Sequence, residues 1–202
     1  MKELTVTVRK QVEEGNALHQ AILMAARAHK GQIRKGTQLD YIIHPMEVLE
    51  ILASMKADIN LRIAGVLHDT LEDTDLSMEQ IQETFGDDVA ELVSGHTEDK
   101  SKSWKERKRW HIERLQTGSK RHRMMVLADS LSNLRSMVID YAAEGEKFWQ
   151  RFHAPKTEQA WYYHGMRKAM ISLREDPDTI AAYQEMESLC CKIFGEQENE
   201  CL

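Results

Sequence analysis

Helix-breaking residues are scarce in this chain: 3 prolines and 10 glycines are spread over 202 residues. A proline costs about 3 kcal/mol in a helix interior and a glycine about 1 kcal/mol, so a sequence that avoids both is free to stay helical. Apolar residues recur at helical rather than alternating spacing, which predicts an all-α fold. A chain of this length can bury one substantial core, and we expect a single helical domain over residues 1–202.

Taken in order, residues 1–12 read as a polar lead-in. A helix follows with Leu18, Ile22, Ala25 and His29 on one face. Residues 31–40, GQIRKGTQLD, read as a loop rich in cations. His44 precedes Pro45, which suits a helix start, and the residue before a proline is biased to extended geometry. The next helix is expected over residues 60–71. Ser77 with Gln80 forms a capping-box pattern for the helix that ends near Gly86. A basic helix is expected over 103–115, with its charges on a solvated face. The helix expected over 119–142 carries Met124, Leu127, Leu131, Leu134, Val138 and Tyr141 on one stripe and Val126, Asp129, Ser130, Asn133 and Met137 on another. Two apolar faces place such a helix in the interior.

The net charge of -6 argues against duplex nucleic acid as the main partner. No stretch is long and apolar enough for a membrane span, and residues 1–5 carry no apolar signal core. Three cysteines, Cys190, Cys191 and Cys201, do not suggest a disulfide framework, so a reduced, cytoplasmic setting is expected. The oligomeric state is not legible.

The chemistry concentrates in Val66-Leu67-His68-Asp69-Thr70-Leu71-Glu72-Asp73-Thr74. At helical spacing His68 lies over Glu72 and Asp69 over Asp73. His44, His68, Asp69 and Asp129 together offer two imidazoles and two carboxylates, a set suited to Mn, Fe or Zn. Glu72 and Asp73 would then handle the proton of an attacking water and that of a leaving group. Arg34 and Lys35 supply cations for phosphate oxygens.

Those residues, in that order, resemble the HD superfamily of metal-dependent phosphohydrolases. More narrowly, AARAHKGQIRKG with YIIHP, GVLHDTLEDTD, FGDDVAELVSGHTEDK and VLADSLSNLR resemble the hydrolase domain of RelA/SpoT enzymes and the stand-alone small alarmone hydrolases. The resemblance covers about residues 17–173, leaving 174–202 as a C-terminal helical extension. It implies an HD-type helical bundle that removes the 3′-pyrophosphate of the stringent-response alarmone guanosine tetra- or pentaphosphate, (p)ppGpp, usually with Mn. It also implies that His44, His68, Asp69 and Asp129 are the ligands, that Glu72 and Asp73 are catalytic, and that Arg34 and Asn133 contact the nucleotide. Tyr162 falls where stand-alone members carry a substrate-contacting tyrosine, with Tyr163 as its competitor.

Three positions depart from the family pattern. Asp40 stands where proline is frequent, His96 where valine is usual, and Ser130 where lysine often follows the metal aspartate. Neither Asp40 nor His96 is expected to touch a motif ligand, whereas Ser130 would change phosphate contacts. The two-headed relatives continue into a synthetase domain, for which this chain is too short, so a hydrolase-only protein is expected. Two alternatives stay open: a related nucleotide phosphohydrolase, such as one acting on the 2′-phosphate of NADPH, and a nucleotide-sensing module without catalysis. Retention of Glu72 and Asp73 speaks against the module.

Overall fold

A computed structural model of the chain describes residues 6–96 and 101–195. Among these residues there are ten α-helices, two short 3₁₀ helices and no strand; one isolated antiparallel bridge joins Ile33 to Asp40. None of the described helices is long and apolar enough to cross a membrane. The chain divides into two compact units, one of residues 1–53 and 57–97, the other of residues 54–56 and 98–202.

The first unit holds α1 (Val6–Ala28), α2 (Ile43–Ser54), α3 (Ile59–Leu67), α4 (Thr70–Asp73), α5 (Met78–Phe85) and α6 (Asp87–Ser94). Helix α1 starts well before the end of the expected lead-in, because no breaker precedes Gly15. It packs on α3, and its small Ala21 and Ala25 are wholly buried. Helix α3 packs in turn on α6, and α6 on α5. The capping box of α5 forms as the sequence predicts: the Ser77 hydroxyl accepts from the Gln80 amide, and the Gln80 side chain accepts from the Ser77 amide at 2.9 Å.

Gly65 of α3 permits a close approach to α2. A methyl group there would sit 2.3 Å from Leu52 Cδ1 and 3.3 Å from Val48 Cγ1, and both side chains are wholly buried. Gly65→Ala should therefore overpack the unit, at a cost of about 1–3 kcal/mol, offset by about 0.5–1 kcal/mol from its better helix propensity. Urea unfolding checks this: a lower midpoint at unchanged slope is expected.

The second unit holds α7 (Trp104–Thr117), α8 (Lys120–Glu144), α9 (Lys156–Ala169) and α10 (Ile180–Phe194), with 3₁₀ turns at Gly145–Arg151 and Ile171–Arg174. Five consecutive residues of α8, Met124 to Ala128, are buried, as an interior helix requires. Helix α10 buries Tyr183, Met186, Cys190 and Ile193 and packs on both α8 and α9, so residues 180–194 are integral to this unit. The basic stretch is partly structural. Arg123 donates to the carbonyls of Leu115 and Gln116 at 3.0 and 2.9 Å and thereby closes the C-terminus of α7.

Cys190 is free, and burial pushes its thiol up to about 12. Cys191, about 100° further round α10, is half-buried. Cys201 lies outside the described residues.

Candidate active site

Two helix ends and one loop build the site in the first unit. His44 lies inside the first turn of α2, not at an extended position before it. Pro45 is tolerated beside it because the first turn of a helix needs no amide from it. The helix expected over 60–71 breaks after Leu67, and His68 and Asp69 form the junction between α3 and α4. The Thr70 hydroxyl donates to the Leu67 carbonyl at 2.7 Å, which closes α3 and lets the chain turn. The backbone amides of Glu72 and Asp73 then bond the Asp69 carbonyl at 3.2 and 2.9 Å. The acidic pair is therefore fixed to the residue that supplies a candidate ligand. Glu72 is half-buried and Asp73 exposed.

Three donor atoms converge. His68 Nε2 is 3.2 Å from His44 Nε2 and 3.0 Å from Asp69 Oδ2, and His44 Nε2 is 3.6 Å from the same oxygen. Both imidazoles are buried, at 3% exposure for His44 and 1% for His68. His68 Nδ1 donates to the Gly65 carbonyl at 2.8 Å, so a neutral His68 turns the lone pair of Nε2 toward the other two atoms. Lone pairs that face one another in a buried site repel, and a cation among them reverses that balance. The donor set thus fits a divalent metal ion.

The remaining candidates are distributed as follows. Arg34 and Lys35 lie on the loop before α2, Arg34 half-buried and Lys35 exposed. The loop is held by Arg34 N to Leu39 O at 2.9 Å and turns through Gly36, whose φ is 78°. Asp129 and Asn133 stand one turn apart on α8, and the Asn133 amide donates to Asp129 Oδ1 at 2.7 Å. Tyr162 on α9 is buried, its hydroxyl bonded to His111 Nδ1 at 2.6 Å and Lys108 Nζ 4.7 Å above its ring. The Tyr163 hydroxyl is turned to Met137 Sδ at 3.5 Å.

Two expectations about the departures change. The His96 ring lies edge-on to His68 with centroids 5.2 Å apart, so this substitution does touch a motif ligand. The Ser130 side chain is buried and directed at Met166 Sδ, 3.7 Å away, because it shares the inward face of α8.

A profile of the HD domain matches residues 21–161, well over half of the chain. The chain belongs to the HD-domain family. This HD-domain chain is 40% identical over 119 residues to guanosine-3′,5′-bis(diphosphate) 3′-pyrophosphohydrolase MESH1 of Drosophila melanogaster, covering 57% of its own length and 66% of the relative's. To the human protein of the same name it is 39% identical over 127 residues, which is 61% of this chain and 71% of that one. A longer guanosine-3′,5′-bis(diphosphate) 3′-pyrophosphohydrolase from Vibrio cholerae is 37% identical over 126 residues, 62% of this chain but 17% of the relative. Among solved structures, a Listeria monocytogenes EGD-e protein is 36% identical, with a TM-score of 0.69 over 76% of this chain and 99% of its own. A metazoan ortholog of SpoT, described as hydrolysing ppGpp, is 27% identical, with a TM-score of 0.70 over 86% of this chain and 93% of its own.

Around the HD dipeptide, residues 29, 32 and 41 support the site without having stood out in the sequence. The Tyr41 hydroxyl donates to Asp69 Oδ2 at 2.5 Å. His29 Nδ1 donates to Gln32 Oε1 at 2.8 Å, and Gln32 Nε2 donates to the Asp73 carbonyl at 2.7 Å. All three fall within the segments AARAHKGQIRKG and YIIHP that carry the resemblance, where no role was attached to them.

Proposed function

We propose that this chain is a metal-dependent 3′-pyrophosphohydrolase of guanosine tetra- and pentaphosphate. The observation that carries the reading is the convergence of His44, His68 and Asp69 donor atoms, with the acidic pair Glu72 and Asp73 anchored on the Asp69 carbonyl. The names of the relatives supply the reaction. We assign Asp129 as the fourth ligand, by the family pattern, and Mn as the ion. The HD match spans residues 21–161, which supports reading the chain as one HD-type catalytic domain.

His44, His68, Asp69 and Asp129 would hold a divalent ion, which when bound would supply a Lewis acid for a phosphoryl oxygen and a more acidic water. In the reaction, water oxygen bonds to the phosphorus next to the ribose O3′, the P–O3′ bond breaks, and its electron pair stays on O3′. Glu72 and Asp73 take the proton from water and return one to O3′, giving a free 3′-hydroxyl and intact pyrophosphate. Arg34 and Lys35 hold phosphate oxygens, and Arg34 adds a flat cation that suits a guanine face or a bidentate phosphate contact. Asn133 and Tyr162 complete the nucleotide contacts, with Asn133 also steadying Asp129.

Turnover of ppGpp and NADPH by Mn-loaded protein, compared by kcat/KM, tests the reading against its nearest rival. Preference for ppGpp is expected, and preference for NADPH would replace the assignment. In the same assay Arg34→Ala should raise KM about 10–100-fold, since a hydrogen bond to a charged group is worth about 1.5–3 kcal/mol. An unchanged KM would remove Arg34 from the substrate site.

A further inference from the structure

Tyr41 bonds the same Asp69 oxygen that faces both imidazoles, and it is itself held on three sides. Its amide donates to the Gln32 carbonyl at 2.9 Å. Its ring lies 4.8 Å from the ring of buried His29, tilted by 40°, and 5.9 Å from that of His44, edge-on. Gln32 is fixed from the other side by His29 Nδ1 at 2.8 Å and through its own donation to the Asp73 carbonyl at 2.7 Å. The hydroxyl therefore reaches Asp69 from a rigid base. Asp69 itself needs such a partner. Its side chain is 19% exposed, unlike that of the fully enclosed His68, so water and rotation about its own bonds compete with the ligand geometry.

We propose that Tyr41 is the positioning residue of the metal site. Its hydroxyl fixes the carboxylate rotamer of Asp69 so that Oδ2 stays at the meeting point of His44 Nε2 and His68 Nε2. The inference rests on the metal-site reading above, but not on the identity of the substrate. Partners that orient a metal ligand change metal affinity by about 10–100-fold when removed.

The test is a calorimetric titration of Mn into metal-free wild type, Tyr41→Phe and His68→Ala, with a thermal melt of each. Tyr41→Phe keeps the ring on His29 and loses only the hydroxyl. A Kd for Mn weakened about 10-fold or more, with a melt close to wild type, is expected. Turnover of Tyr41→Phe should recover at excess Mn, because the residue acts through the ligand and not on the substrate. If His68→Ala loses Mn while Tyr41→Phe binds it as tightly as wild type, the positioning role is wrong and the metal site stands. If His68→Ala also binds Mn normally, the metal-site reading itself fails, and the role of Tyr41 with it.

Discussion

Replacing His68 with Ala should remove bound metal and turnover together. His68 is the best-fixed of the donors: its side chain is fully enclosed, its Nδ1 is committed to the Gly65 carbonyl, and its Nε2 approaches both His44 and Asp69. Ala leaves a buried gap and takes the best-fixed imidazole from the assigned set of four, so His44, Asp69 and Asp129 are left to hold a divalent ion far more weakly against water. The ion's electrostatic contribution, several kcal/mol in the transition state, goes with it, a loss on the order of 10³-fold or more in rate. Metal content by elemental analysis, measured beside kcat, checks this. A folded His68→Ala protein with stoichiometric metal would mean that these histidines only pack.

Glu72→Gln and Asp73→Asn should behave in the opposite way, keeping metal and substrate and losing kcat. Both changes preserve shape, and the amides of both residues bond the Asp69 carbonyl, so the backbone turn survives either substitution. What is lost is the ability to accept and return a proton, worth about 10²–10⁴-fold. Because that role is exercised in the transition state, the loss belongs in kcat with KM little changed. Near-native kcat in both variants would reduce the pair to solvated charges at a helix end.

Much of this site could be read from the sequence because its determinants are local. An apolar run followed directly by His68-Asp69, with Glu72 and Asp73 close behind, marks these four residues as candidates from a single stretch of chain. Capping was legible for the same reason, as Ser77 with Gln80 shows. The break between α3 and α4 was not legible. It depends on the Thr70 hydroxyl choosing the Leu67 carbonyl, a competition that composition does not reveal. The start of α1 was missed because polar residues were read as a lead-in, although no residue between Val6 and Asn16 other than Gly15 opposes a helix. His29, Gln32 and Tyr41 were hidden differently. Their value lies in contacts between segments far apart in the chain, such as Gln32 with Asp73, 41 residues away. His96 was read by its position in the family pattern, and only the fold put its ring against His68.

This chain is expected to release the 3′-diphosphate of its substrate as a unit. The most direct measurement uses guanosine tetraphosphate labelled in its 3′-diphosphate, incubated with Mn-loaded protein, with products separated at early times. Label recovered as intact pyrophosphate, beside unlabelled GDP and absent from Glu72→Gln, is the predicted result. Label recovered as orthophosphate, or retained on the nucleotide, would contradict it.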